Sequence, residues 1–186
     1  MVIKIAITGN IASGKSQVEK ILEDYGYKVF DTDKIAHDVL NKITEFYGYD
    51  VFTNGKIDRK KLGKIVFSNT ELKQKLEAIV HPEVKSKIKE LFKKHNKDKY
   101  IFISVPLLYE TGFETLFDKV MLICADKNLQ IKRLISRNNF TEQEALSRIN
   151  SQLKQEEKIA KADYVIENNT TLEDLKNNVN LFLKTL

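Results

Sequence analysis

The sequence predicts an α/β fold in which helices cover both faces of a five-stranded parallel sheet. Three nearly continuous apolar runs have the composition of strands buried on both faces. They are Val2–Thr8, Tyr100–Val105 and Lys119–Ala125. Between them, apolar residues recur every three or four positions, which is typical of amphipathic helices. A chain of 186 residues fits one domain with a substantial core.

A glycine-rich loop joins the first strand to the first helix. Its sequence is Gly9-Asn10-Ile11-Ala12-Ser13-Gly14-Lys15-Ser16, which fits G-x-x-x-x-G-K-[ST]. In this pattern the backbone N–H groups cradle phosphates, the lysine reaches the β- and γ-phosphates, and the serine hydroxyl binds Mg²⁺. Apolar residues continue at helical spacing after the loop until Gly26, a helix stop. The order of strand, loop and helix therefore predicts binding of a nucleoside triphosphate.

The second predicted strand, Tyr27–Phe30, leads into Asp31 and Asp33. Ligands of open α/β sheets bind at the carboxyl ends of the strands. Both carboxylates are therefore candidates for binding Mg²⁺ or a substrate hydroxyl. Asp33 also begins a predicted helix, and on spacing alone the role of N-cap suits it equally well.

A long helical stretch is predicted between the second and third strands. Its signals are a turn at 53–56, helix starts at Asp58 and at Ser68, and a break at His81-Pro82 with Pro82 beginning another helix. The stretch is longer than a crossover needs, and such an insertion in an α/β kinase usually covers the acceptor substrate. His81 either touches that substrate or is satisfied by local backbone.

The third predicted strand lacks, at its carboxyl end, the aspartate that motor ATPases and signalling GTPases have there. Those proteins normally place a Mg²⁺-binding Asp there, whereas this strand ends in Val105-Pro106 and the first charged residue beyond it is Glu110. The guanine-reading sequence Asn-Lys-x-Asp is also missing from the chain. Both observations favour a small-molecule kinase.

Three of the four arginines, Arg133, Arg137 and Arg148, fall within sixteen residues, and the other 27 basic residues are lysines. The planar fork of arginine suits phosphate, so we interpret the cluster as facing phosphates. The segment is predicted to form two helices, the second capped by Thr141 and Glu144. This hairpin is expected to act as a lid that excludes water.

The last predicted strand, Tyr164–Ile166, leads to Asn168 and Asn169. At a strand end, these amides suit contact with an adenine edge and suit a simple turn equally well. Thr170 and Glu173 are predicted to cap the closing helix.

Composition excludes several classes of protein. The net charge of +5 comes from lysines spread along the chain, which argues against a nucleic-acid partner. No apolar run approaches the ~18 residues of a membrane span, and no signal peptide precedes the first strand. The one cysteine, Cys124, is expected to be buried in a reducing compartment. We therefore expect a cytoplasmic protein without a membrane partner, and the sequence does not predict its oligomeric state.

Taken in order, these motifs resemble those of the dephospho-CoA kinase family almost from end to end. The motifs are the glycine loop with Thr8, Asp31-Thr32-Asp33, Asn54–Gly63, Leu76–Pro82, Val105–Glu110, Gln130 with Arg133 and Arg137, Glu144–Gln152, and Ala162–Ile166. The family usually has Gly at the positions of Asn10 and Ala12, Thr at that of Gln17, Ala at that of Thr32 and Phe at that of Tyr109. None of these departures removes a group that the chemistry needs.

The resemblance implies a three-layer P-loop kinase that transfers the γ-phosphate of ATP to the ribose 3′-hydroxyl of dephospho-CoA, the last step of coenzyme A synthesis. It implies a core of residues 1–33, 97–125 and 159–186, a helical substrate-binding insert at about 34–96 and a helical lid at about 126–158. Mg²⁺ is the implied cofactor.

The resemblance and the glycine-loop pattern together give a set of candidate site residues. The ATP-binding candidates are Gly9, Asn10, Ile11, Ala12, Ser13, Gly14, Lys15, Ser16, Gln17 and Asn169. The catalytic candidates are Asp33, Lys15, Arg137 and Arg148. The substrate-binding candidates are Thr8, Asp33, His81, Leu108 and Glu110, and the Mg²⁺ candidates are Ser16 and Asp31.

Three other functions agree less well with the sequence. A kinase for another small acceptor, such as a nucleotide or a shikimate-like alcohol, is disfavoured by the long helical insert and by its predicted break at His81-Pro82. A switch or nucleic-acid motor is disfavoured by the strand end at Val105-Pro106 and by the scattered lysines. A non-catalytic relic is disfavoured because Lys15, Ser16, Asp33 and the arginines of the predicted lid are all present.

Overall fold

A computed structural model describes residues 1–42, 52–53, 56–57 and 70–186. The chain divides into two compact units, one formed by Met1–Asp31 with His95–Leu186 and the other by Thr32–Lys94. The centre of the turn predicted at 53–56 and the helix starts predicted at Asp58 and Ser68 lie outside the described residues.

The first unit is built on the predicted five-stranded sheet. Its strands, all parallel, lie in the order β2-β5-β1-β6-β7. They are β1 (Ile3–Gly9), β2 (Val29–Asp31), β5 (Tyr100–Ser104), β6 (Lys119–Cys124) and β7 (Tyr164–Glu167). The predicted strands are confirmed to within one or two residues at each end. Because the strands are parallel, their carboxyl ends meet at one edge, and this edge holds the glycine loop.

Two helices cover one face of this sheet. The first is α1 (Lys15–Asp24) and the other is α7 (Leu172–Thr185). Their apolar stripes pack with inward-facing strand residues into one core, which includes Ile5, Ile7, Val18, Leu22, Phe102, Met121, Ile123, Leu175, Val179 and Phe182. Residues of the opposite face, such as Ile103 and Leu122, are equally buried. Burial of both faces confirms the predicted three-layer α/β class.

The two helices predicted after β6 are present, and a short third helix that the sequence does not predict follows them. They are α4 (Lys127–Asn138), α5 (Glu142–Asn150) and α6 (Gln155–Ile159). Asn139 ends α4 in the left-handed conformation, and Thr141 caps α5 in a reciprocal capping box with Glu144. A 3-10 turn at Glu114–Leu116 precedes β6.

The predicted cap of the last helix is wrong by one residue. Thr171, not Thr170, is the N-cap of α7, and its hydroxyl accepts the backbone N–H of Asp174 at 3.1 Å. The sequence holds two overlapping patterns, Thr170 with Glu173 and Thr171 with Asp174, and both satisfy the capping rule. Packing of α7 on the sheet selects the second.

The described residues of the second unit form two helices and a short hairpin. The helices are α2 (Thr32–Lys42) and α3 (Thr70–Lys94), and the strands β3 (Phe52–Thr53) and β4 (Lys56–Ile57) pair antiparallel. The sequence indicates the turn but not the strand pairing. No helix in the described part of the chain is long and apolar enough to cross a membrane.

The helix break predicted at His81-Pro82 is wrong, because α3 runs through Pro82 without interruption. Proline removes one helical hydrogen bond. The buried residues Val80, Val84 and Ile88 nevertheless recur at four-residue spacing across it. Burial of this stripe compensates for the missing bond and keeps one helix.

Candidate nucleotide-binding site

The glycine loop is closely fitted to its surroundings. Gly14 has a φ of +98°, and a Cβ atom there would lie 1.9 Å from Asn168 Nδ2. A Cβ atom at Gly9 would lie 2.5 Å from the carbonyl oxygen of Ile123. Both glycines of the pattern are therefore required by packing, and Gly14 is also required by its backbone conformation.

The second half of the loop presents free backbone donors. The Ser13 N–H donates to the Asn10 carbonyl at 3.0 Å, which closes the loop on itself. Within the described residues, the backbone N–H groups of Ala12, Gly14, Lys15 and Ser16 donate no hydrogen bond. Such donors at the N-terminus of α1 form an anion site, because the helix dipole adds to them.

Lys15 is held at the edge of the sheet by two partners. Its ammonium lies 2.6 Å from Glu19 Oε1, one turn further along α1, and also donates to Ser104 Oγ at the end of β5. Ser104 in turn donates to Glu19 at 2.6 Å. The strand register pairs Ser104 with Asp31, so Asp31 lies at the same strand edge as this network.

Arg133 holds the loop from outside. Its guanidinium donates to the carbonyls of Ala12 at 3.2 Å, Ser13 at 3.4 Å and Asn168 at 3.0 Å. Burial lowers the pKa of the guanidinium. The interpretation of Arg133 as phosphate-facing is therefore wrong, because its guanidinium group donates to backbone carbonyls of the protein instead.

Asn168, like Arg133, holds the glycine loop by hydrogen bonds, a role that the sequence did not indicate. Its buried amide donates to the Ser13 carbonyl at 2.8 Å and to Gln17 Oε1 at 3.4 Å. The signal for this role was the position of Asn168 directly after the last strand of a parallel sheet, because the carboxyl ends of all the strands lie at the edge that holds the loop. Asn169 instead accepts the N–H of Asp126 at 2.7 Å and lines a cleft of about 370 Å³ with Lys127 and Leu129.

Gln152 and Leu153 make further contacts with the loop that the sequence did not reveal. Gln152 Oε1 accepts the Ile11 N–H at 2.7 Å, and the Leu153 carbonyl accepts Asn10 Nδ2 at 3.1 Å. The side chains of Ile11 and Ala12 pack against a small core of α4 and α5, formed by Leu134, Ala145 and Ile149. The helical hairpin thus rests on the loop.

The other two arginines are exposed. Arg137 Nε donates to Asn138 Oδ1 at 2.9 Å, and the Arg148 guanidinium lies 5.7 Å from the centre of the Phe140 ring. Their guanidinium groups make no salt bridge within the described residues. Both remain accessible to an anionic ligand.

Three predicted substrate-binding residues lie around the end of β5 and the segment after it. Thr8 is fully buried and donates to the Pro106 carbonyl at 3.4 Å, and Leu108 is fully buried as well. Glu110 lies 2.7 Å from the Lys158 ammonium. Burial raises the pKa of the neighbouring Tyr109 to about 12, so its phenol stays protonated.

The remaining candidates belong to the second unit. Asp33 is exposed in the first turn of α2, one residue inside the helix, so the N-cap interpretation is wrong. His81 lies in α3, where burial lowers its pKa and keeps the imidazole neutral near pH 7, against the opposing effect of Glu77.

The residues present fit Mg²⁺ bound together with a nucleotide. Ser16 is exposed in the first turn of α1, and Asp31 ends β2 at the same sheet edge. The described part of the chain holds no cluster of three or more His, Cys, Asp or Glu residues suited to a metal ion. Mg²⁺ in kinases is commonly bound by one or two protein oxygens and by substrate phosphates, which agrees with this arrangement.

Comparison with known proteins settles the family. A family model described as dephospho-CoA kinase matches residues 3–174. The chain belongs to the dephospho-CoA kinase family. A dephospho-CoA kinase of Fusobacterium nucleatum is 45% identical over 98% of this chain and 97% of its own length. One of Helicobacter pylori is 40% identical over the full length of both.

Solved structures agree with this membership. A dephospho-CoA kinase from Campylobacter jejuni superposes with a TM-score of 0.76 and 34% identity, covering 99% of this chain and 96% of its own. The protein TT1252 from Thermus thermophilus superposes with a TM-score of 0.87 and 36% identity, covering 100% and 98%. A shikimate kinase from Acinetobacter baumannii, 16% identical with a TM-score of 0.56, shares the fold alone.

Proposed function

We propose that this chain transfers the γ-phosphoryl group of ATP to the ribose 3′-hydroxyl of dephospho-CoA, giving coenzyme A and ADP. The observation that carries the proposal is the family match over residues 3–174, which spans the glycine loop with its open N–H groups. In the reaction, the bond between the γ-phosphorus and the β–γ bridging oxygen breaks. A bond from the 3′-oxygen forms in line with it.

The loop residues Gly9 to Gln17 are proposed to hold the triphosphate through backbone N–H groups. Lys15 exchanges its contact with Glu19 for the β- and γ-phosphates. Ser16 and Asp31 are proposed to hold Mg²⁺, which neutralises phosphate charge when it is bound. Asn169 lines a cleft beside α4, and its position supports a contact with the adenine.

Asp33 is proposed to orient the 3′-hydroxyl and accept its proton. Its exposed carboxylate and its place two residues after the strand-end Asp31 support this role. Arg137 and Arg148, both exposed, are proposed to neutralise charge on the transferring phosphoryl oxygens. His81 is proposed to contact the substrate, whereas Thr8 and Leu108, both fully buried, are proposed to support the substrate site by packing. The proposed location of the protein is the cytoplasm.

ADP release from ATP and Mg²⁺ tests the proposal, with dephospho-CoA as acceptor beside AMP, shikimate and no acceptor. Release that requires dephospho-CoA, together with formation of coenzyme A, is the expected result. Release with another acceptor would keep the phosphoryl chemistry and overturn the substrate. Equal release without any acceptor would overturn the kinase assignment.

A further inference from the structure

A buried ion pair lies behind the glycine loop, in the first unit. The Lys158 ammonium lies 2.7 Å from Glu110 Oε1, and the Lys158 side chain is completely buried. A buried ammonium group is costly unless an opposite charge lies close to it. The Glu110 carboxylate supplies that charge as an ion pair, although the contact does not have the geometry of a hydrogen bond.

The same oxygen of Glu110 has a second partner. It accepts the backbone N–H of Leu153 at 3.0 Å. Leu153 belongs to the short junction between α5 and α6, while Lys158 lies in α6. Glu110 therefore fixes this junction at two points, one on the backbone and one on the following helix.

The junction in turn fixes the first half of the glycine loop. Gln152 Oε1 accepts the Ile11 N–H, and the Leu153 carbonyl accepts the Asn10 amide. Leu153 thus bonds to Glu110 through its N–H and to the loop through its carbonyl. The route from Lys158 to the loop consists of one ion pair of 2.7 Å and three hydrogen bonds of 2.7–3.1 Å, joined by the peptide bond between Gln152 and Leu153.

We propose that Gln152 and Glu110 are positioning residues for the nucleotide. Gln152 holds the Ile11 N–H, and Glu110 with Lys158 holds the junction that presents Gln152. The role of Glu110 then runs through Leu153 and differs from the direct substrate contact that the sequence predicted. The proposal rests on the proposed function only in taking ATP as the ligand of the loop.

Preorganisation is the physical reason. With Ile11 held, the loop keeps the shape in which its other N–H groups point toward one anion. A loop that is already ordered loses less conformational freedom when the ligand binds. Removal of the Gln152 contact or of the Glu110–Lys158 pair should therefore weaken binding of ATP more than it slows the chemical step.

The first test is Gln152→Met, which keeps the length of the side chain and removes the acceptor. We expect the affinity for a non-hydrolysable ATP analogue with Mg²⁺, measured by calorimetry, to fall about fivefold. At saturating substrates kcat should change less than about twofold. An affinity equal to that of the wild type would overturn the proposal.

The second test removes the ion pair as a whole. Glu110→Leu combined with Lys158→Met leaves no unpaired buried charge, so folding is expected to survive. Binding of the analogue should again weaken about fivefold, and adding Gln152→Met should weaken it little further, because the residues act in one route. If the affinity losses of the ion-pair variant and of Gln152→Met instead multiplied in the combined variant, the two changes would act independently, and the proposed coupling would be overturned. If this variant does not unfold cooperatively, Gln152→Met alone decides.

A control pair with the same two kinds of contact, although more exposed, lies at the amino ends of β6 and β7. Asp163 lies 2.9 Å from the Lys119 ammonium and accepts the Val120 N–H at 2.8 Å, so it also joins a lysine to a backbone donor. Asp163→Leu with Lys119→Met should leave the affinity for the analogue unchanged. A loss equal to that of the Glu110 pair would show a general effect on stability and overturn the proposal.

The two proposals can fail separately. Turnover of dephospho-CoA by the wild type, with analogue binding unchanged in all variants, would overturn the positioning role alone. A wild type without turnover of dephospho-CoA, whose variants still lose affinity as expected, would overturn the proposed function alone.

Discussion

The Lys15 ammonium lies 2.6 Å from Glu19 Oε1, and both side chains are largely buried. The lysine expected to bind phosphates is therefore paired with a carboxylate of its own helix. A triphosphate that binds Lys15 must compete with Glu19 for it. This competition gives the first prediction.

We expect Glu19→Gln to tighten ATP binding by roughly two- to fivefold, the range that corresponds to a modest ion pair. Glutamine keeps the shape and the contact with Ser104 but no longer competes by charge. Titration calorimetry with ATP and Mg²⁺ measures the change. Glu23→Gln, an exposed position one turn further along α1, is the control. Weaker binding by Glu19→Gln would show that Glu19 supports the lysine instead.

For Asp33→Asn, we expect ATP to bind normally while kcat falls at least about a hundredfold, as is usual for loss of a general base. Single-turnover measurements with radiolabelled ATP and dephospho-CoA test this. Asp38→Asn, an exposed change on the same helix, should keep full turnover. Near-normal turnover by Asp33→Asn would remove the base assignment.

Arg133→Lys tests whether the hydrogen bonds of Arg133 to three backbone carbonyls hold the glycine loop. Lysine carries the charge but cannot bond three carbonyls with one planar fork. We expect ATP binding to weaken roughly tenfold, equal to about 1.4 kcal/mol, together with a lower melting temperature. Lys20→Arg, on the exposed face of α1, should change neither quantity. Unchanged affinity and stability in Arg133→Lys would contradict the claim that Arg133 holds the loop.

Pro82→Ala should stabilise the protein. Alanine restores the N–H that proline lacks within α3, so the free energy of unfolding in urea should rise by about 1–3 kcal/mol. Glu83→Ala, the exposed neighbouring position, should change it little. A loss of stability in Pro82→Ala would mean that the helix requires the proline geometry.

Cys124 should be unreactive in the folded protein. Burial, with help from Glu167 and Asp126, raises the pKa of its thiol to about 11. At pH 8 about one thiol in a thousand is then ionised. Ellman's reagent at pH 8 should react quickly only after guanidinium is added, and the rate in native protein should rise as the pH approaches the raised pKa. Rapid reaction without denaturant would contradict this burial.

The sheet and the glycine loop were predictable from the sequence, because both depend on local patterns. Apolar runs mark the strands, and the loop pattern mixes glycines with a lysine and a serine in fixed order. The capping box of Thr141 was equally local. The error at Thr171 arose where two local patterns overlap and packing decides between them.

The contacts around the loop could not be predicted, because they join residues far apart in the chain. Arg133 reaches Ala12, and Gln152 reaches Ile11, over more than a hundred residues. Nothing near either residue in the sequence indicates its partner. The continuity of α3 through Pro82 was missed for the same reason, since burial of the whole stripe outweighs one local rule.

The strand order has a consequence for synthesis of the chain. β1 is the central strand, yet its first partner in sequence begins at Tyr100, which aligns with Ile3. At a translation rate of roughly 5–20 residues per second, the apolar first strand waits on the order of ten seconds for a neighbour. The nascent chain therefore exposes an unpaired apolar strand for that time, and chaperones bind such segments.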